Sequence, residues 1–154
     1  MIIYPHDRRV MSAKSLEGIF RSEKEIAKKL QILQAVQQYR EEEAGIIMIG
    51  KTVTVTVDRA MGTYHPEHPD MYYPINYGYI KGIIAPDGEE QDAYILGVDK
   101  PVKEFTGKIT AVIRRNNDIE EKWVVVPQNA HYTKEEIIEE TCFQEQYFDS
   151  YVIM

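Results

Sequence analysis

Residues 52–57 read Thr52-Val53-Thr54-Val55-Thr56-Val57, a strict alternation with β-branched residues on both faces. Such side chains sit well on a pleated surface, so the stretch predicts a strand. Working outward, the apolar runs at 94–98, 109–113 and 123–126 predict further strands. Pro86-Asp87-Gly88, Lys100-Pro101, Thr106-Gly107 and Asn116-Asn117-Asp118 supply turn chemistry between them. Several short strands with frequent turns imply a small closed barrel rather than a parallel sheet.

Helices flank this β region. Residues 1–44 read mostly as helix, with Ser22-Glu23-Lys24-Glu25 as a capping box and Gly45 as a stop. Ile26, Leu30, Leu33 and Val36 mark an apolar face expected to pack on its own domain or on a second subunit. The repeat is too short to sustain a coiled coil. At the other end, Thr133-Lys134-Glu135-Glu136 is a second capping box, opening a helix whose apolar side is Ile137, Ile138, Cys142, Phe143 and Tyr147. Cys142 reads there as a small buried hydrophobe. The expected organisation is a helical extension over 1–44 and a barrel domain over 45–154, mainly β with flanking helices (α+β).

The chain has 154 residues and a formal net charge of -7, enough for one domain with a real core. The acidic balance argues against a general nucleic-acid backbone binder. One cysteine excludes an internal disulfide framework and a cysteine zinc site. No stretch reaches the length of a membrane span, so a cytoplasmic, soluble protein is expected, with no membrane partner.

Chemistry concentrates in YGYIKGIIAPDGEEQD at 77–92. Asp87 before Gly88 is alone a turn residue bonding its own backbone. Glu89 and Asp92 add carboxylates that repel unless cations neutralise them, and hard oxygen ligands suit Mg²⁺. Glu90 reads as solvent-facing. Turn and metal site both remain open on spacing. A second constellation, Arg114-Arg115-Asn116-Asn117-Asp118-Ile119-Glu120-Glu121-Lys122, is a charged hairpin turn or a source of further oxygen ligands plus a phosphate-holding lysine. A third pairs Arg59 with the tyrosine-rich run 72–79, where an arginine fork and a phenol suit a phosphate.

Taken in order, VDRAMGT (57–63), YPINYGYI (73–80), PDGEEQDAYIL (86–96), EEKWVVVP (120–127) and FQEQYFD (143–149) resemble the motifs of the soluble, metal-dependent inorganic pyrophosphatases. The resemblance implies a five-stranded OB-like barrel. It also implies that Asp87, Asp92, Asp118 and Glu120 bind Mg²⁺, that Glu89 is the catalytic base, and that Arg59, Tyr77, Lys122 and Tyr147 contact phosphate. Departures accompany it. Glu89 is one methylene longer than the family's aspartate, and Phe148 stands where the family has a lysine. The ligand near 117–118 aligns with Asn117 or Asp118, and Asp118 is favoured because asparagine brings no charge. An early strand glutamate and lysine have no counterpart.

Tyr64-His65-Pro66-Glu67-His68-Pro69-Asp70 resembles an insertion between matched motifs, expected as an ordered surface loop and a candidate lid. The function expected is Mg²⁺-dependent hydrolysis of inorganic pyrophosphate to two phosphates by a homo-oligomer. A nucleotide or other phosphoanhydride as substrate is the near alternative. A non-catalytic OB-like module stacking single-stranded nucleic acid on its tyrosines is the distant one.

Overall fold

The computed structural model describes the backbone of residues 13–154 and the side chains of 22–37 and 45–154. Residues 1–12 of the expected helical segment lie outside the described residues. The chain divides into two units, one ending at Glu42 and the other spanning Glu43–Met154. Helix α1 (Ala13–Ile47) begins nine residues before the capping box of the sequence, leaving Ser22 inside it. Lysines and glutamates on both sides of Ser22 are good helix formers, so one serine does not start a new helix. The side chains of Ile26, Leu30, Leu33 and Val36 are exposed.

The second unit is a closed barrel of five strands with one appended: β1 (Thr52–Arg59), β2 (Asn76–Ile84), β3 (Glu90–Ile95), β4 (Glu104–Arg115), β5 (Glu121–Val126) and β6 (Ser150–Ile153). The sheet order is β1-β2-β3-β5-β4-β6, and β1 also pairs with β4 to close the barrel. Neighbours run antiparallel except β3 and β5, which are parallel. This is the closed, mainly β barrel expected from the strand pattern, and it is OB-like as the resemblance implied. The TVTVTV stretch lies wholly in β1, with Val53 and Val55 buried and its threonines outward.

Two strands went unread in the sequence. β2 is masked by glycine and tyrosine where alternation of aliphatics was the signal, and β6 is only four residues long. Gly78 is what lets β2 approach β1: a Cβ there would lie 1.9 Å from the Thr56 carbonyl oxygen.

Strand alternation divides the core in two. Val53, Val55, Ile80, Ala93, Ile95, Ile109, Val112, Trp123 and Val125 come from all five barrel strands and fill the barrel. On the opposite faces, Tyr77, Tyr94, Ala111, Ile113 and Val124 pack beneath helix α2 (Lys134–Glu145) through Ile137 and Phe143. The Thr133 hydroxyl accepts from the Glu136 N–H and the Glu136 carboxylate accepts from the Thr133 N–H, so the second capping box forms as read. Cys142 is exposed, contrary to the expectation. The face α2 buries is Ile137, Thr141, Gln144 and Glu145, and Cys142 sits about 100° around the helix from Thr141.

Candidate functional site

Period-two alternation carries the site to the end of this outer face. Lys122 precedes Val124 and Val126, Asp92 precedes Tyr94 and Leu96, and Arg115 follows Ala111 and Ile113, all in the layer beneath α2. The apolar layer therefore ends in a row of ionised groups. They border a cavity of about 400 Å³, completed by Asp58 and Arg59 at the end of β1, Tyr77 of β2, and His65, His68 and Tyr73 of the loop between.

Within the cavity wall the charges are paired. Lys122, only 4% exposed, donates to Asp92 Oδ2 at 2.5 Å and to Glu120 Oε1. Arg115, 3% exposed, donates through Nη1 to Glu120 Oε2 at 3.1 Å. Its Nε and Nη2 grip both oxygens of Glu145 at 3.1 and 2.9 Å. The guanidinium also lies 3.5 Å above the Phe148 ring. Tyr94 and Ser150 donate the remaining bonds to Glu145, at 2.5 and 2.6 Å. Buried charges persist only when satisfied in this way.

Titration follows the pairing. Burial opposes ionisation of Glu145, but hydrogen bonds from Arg115, Ser150 and Tyr94 outweigh it and hold the carboxyl below its usual range. Burial, with the neighbouring Asp92 charge and a hydrogen bond to it, pushes the Tyr77 phenol upward, so Tyr77 remains a donor. At the cavity rim, partial withdrawal from water raises the Asp58 carboxyl, with Arg59 opposing and Asp92 adding to the rise. Among the described residues Asp58 is the cavity carboxylate whose oxygens carry no ion pair. Desolvation, Arg59 and His68 lower His65, keeping its imidazole neutral at neutral pH.

Of the residues singled out in the sequence, Arg59, Tyr77, Asp92, Glu120 and Lys122 meet at this cavity. Asp87, Glu89 and Asp118 do not border it and are exposed on turns. Asp87 Oδ1 accepts from the Glu89 N–H at 3.0 Å, and Asp118 Oδ1 accepts from the Glu120 N–H at 3.1 Å, so each carboxylate caps its own turn. Tyr147, also exposed, lies outside the lining as well. The inserted loop is ordered: the His65 N–H donates to the Met71 carbonyl, the Met71 N–H to the His68 carbonyl, Tyr64 bridges to Tyr72, and both histidines border the cavity. His65 Nδ1 accepts from the Glu67 N–H at 3.0 Å, which leaves one ring nitrogen free of that turn.

Asp58, Tyr73, Arg115, Gln144 and Glu145 lie in the quoted stretches but were given no role of their own there. Arg115 was readable from its place two residues after Ile113 on a buried face. Glu145 had no such signal, because only the partner from β4 makes its burial tolerable.

The expected metal set was Asp87, Asp92, Asp118 and Glu120. Asp87 and Asp118 bond their own turns through Oδ1 and lie outside the cavity, both oxygens of Glu120 accept from cations, and Asp92 gives one oxygen to Lys122. Among the described residues no three histidine, cysteine or acidic side chains converge as a metal site. This donor set does not fit a metal resident on the protein.

No protein-family model matches the sequence, and none of the curated proteins matches it. The fold, however, is found among solved structures. The inorganic pyrophosphatase of Ehrlichia chaffeensis superposes with a TM-score of 0.51 at 19% identity, over 66% of this chain and 84% of that one. An Anaplasma phagocytophilum inorganic phosphatase superposes at 0.48 and 18% identity, over 67% and 81%. The Ehrlichia likeness establishes a shared fold, the one that the motif resemblance implied.

Proposed function

We propose that the cavity binds inorganic pyrophosphate as its magnesium complex and that the chain hydrolyses it to two phosphates. The observation carrying this is the convergence of Arg59, Lys122 and the Tyr77 phenol on one cavity, in the fold of a pyrophosphatase. A free tetra-anion would meet Asp58, Asp92 and Glu120 there, and magnesium carried by the substrate offsets that repulsion.

In this reading the Arg59 guanidinium grips one phosphoryl group through paired N–H donors. Lys122 turns from its carboxylates toward the bridging and leaving oxygens, where negative charge develops. Tyr77, held protonated, donates to a phosphoryl oxygen in place of Asp92. Asp58 takes the proton of the attacking water. Its raised basicity, its freedom from ion pairs and its place in the cavity lining suit it to the task better than Glu89, which lies outside that lining and to which the resemblance assigns the role.

The test is phosphate release from magnesium pyrophosphate by the full chain, beside a panel of nucleotides. Cleavage of pyrophosphate, lost in Asp58→Asn and kept in Glu89→Gln, is the expected result. Folded protein that releases no phosphate at any divalent-metal concentration removes the reading, and cleavage of nucleotides alone moves it to that substrate.

A further inference from the structure

We infer that Arg115, together with Lys122, serves as this pocket's own resident cation, so that the free protein takes up no divalent metal. The inference concerns the same pocket as the pyrophosphate reading and rests on it only for what the pocket holds.

Carboxylates gathered beneath α2 need positive charge to coexist. Here Glu120, Glu145 and Asp92 receive it from two side chains that are almost wholly enclosed. Arg115 spends three nitrogens on Glu120 and Glu145, and its flat face lies on Phe148. Lys122 spans Asp92 and Glu120 and lies 5.6 Å from the Tyr77 ring centroid. The guanidinium cannot be neutralised by losing a proton near neutral pH.

A divalent ion entering the cluster would therefore compete with a cation that is already bonded and has nowhere to go. Displaced from Glu120 and Glu145, Arg115 would remain buried and unpaired, the costliest state for a charge. Each Glu120 oxygen already accepts from a buried cation, so a metal ligated there would sit against two positive charges. The arrangement does the electrostatic work of a bound metal, and the carboxylate oxygens left outside ion pairs, on Asp58 and Asp92, stand beside those cations.

Arg115→Asp is the decisive substitution. Arg115→Asp removes the cation and adds a fourth carboxylate among Asp92, Glu120 and Glu145, which is the oxygen-rich environment a hard cation takes. Mn²⁺ is the probe, titrated into the free full chain and read by electron paramagnetic resonance and calorimetry, with no substrate and no turnover. The wild type is expected to show no saturable Mn²⁺ binding at up to millimolar metal. Arg115→Asp is expected to bind Mn²⁺ at least tenfold more tightly than wild type, and Arg115→Met to fall between them. Saturable micromolar binding by the wild type overturns the inference whatever the variants do, and so does a folded Arg115→Asp that gains nothing. Should Arg115→Asp not fold by circular dichroism, the wild-type titration and Arg115→Met decide. Failure of pyrophosphate hydrolysis leaves these titrations unaffected, so the two readings fall separately.

Discussion

Lys122 is held by two carboxylates at once, and its value depends on what replaces it. Lys122→Met removes the charge, leaves Asp92 and Glu120 facing each other, and strips the proposed site of the group nearest the leaving oxygens. Steady-state phosphate release is expected to fall by about 10²–10³-fold, mostly in kcat, as for other groups that stabilise transition-state charge. Asp58→Asn is expected to lower kcat by about 10²–10⁴-fold, the range of a lost general base, with KM little changed. Equal activity in Asp58→Asn and wild type would return the proton-acceptor role to another group. At this scale the sequence was legible where a side chain is chemically distinctive and inside a motif: Arg59, Tyr77, Asp92, Glu120 and Lys122 stand out in the sequence and all border the cavity. It was illegible where one carboxylate has two uses. Asp87 and Asp118 carry the same group as Asp92, and their own backbone N–H partners decide that they cap turns.

Among the elements, α2 and the β1–β2 pair illustrate opposite degrees of legibility. The capping box at Thr133 was written locally, and Thr133→Ala is expected to cost about 1 kcal/mol in urea unfolding. The buried face of α2 was not, because Thr141, Gln144 and Glu145 are inside while Ile138 and Cys142 are outside. Hydrophobicity ranks these residues in the reverse order, and only the strands beneath the helix determine which are covered. Gly78 belongs to this scale too. A methyl group there meets backbone of β1 rather than a side chain that can turn away, so Gly78→Ala is expected to destabilise the barrel by several kcal/mol. A midpoint unchanged in denaturant would mean that β1 and β2 can separate without loss.

At the scale of the molecule, the layer between barrel and α2 begins as an apolar core and ends as an ion-pair network joining β4, β5 and the end of α2. Its folding energetics should follow pH with a definite sign. Glu145 titrates lower in the folded chain than its ordinary value of 4.5, so it stabilises the fold above that pH. That contribution is lost as pH falls below about 4.5 and on through the folded value. Asp58 and Glu140, raised by desolvation, act in the opposite direction, and acid relieves them. Glu145 is the more enclosed of the three and shares its charge with Arg115. Unfolding measured from pH 7 to pH 3 is therefore expected to weaken with acid in the wild type. Glu145→Gln leaves Arg115 buried without its bidentate partner and should already be about 3–5 kcal/mol less stable at pH 7, with a flatter acid limb. A variant with the wild-type pH profile would show that the network is not what acid breaks.

By itself the sequence marked the barrel's strands, β2 excepted, because alternation and turn chemistry are local properties that each segment carries alone. It also determined the closing helix with its cap, and its motifs picked out Arg59, Tyr77 and Lys122, which line the cavity. Only the tertiary structure decided which carboxylates face a cation and which face their own backbone. Spacing along the chain brought Asp87, Glu89 and Asp92 together, whereas packing joined Asp92 to Lys122 across two strands and Arg115 to Glu145 across a helix and a sheet. The physical reason is range. A strand's pleat is set over a few residues, while the partner that stabilises a buried charge comes from wherever the fold places it, 30 residues away in both pairs.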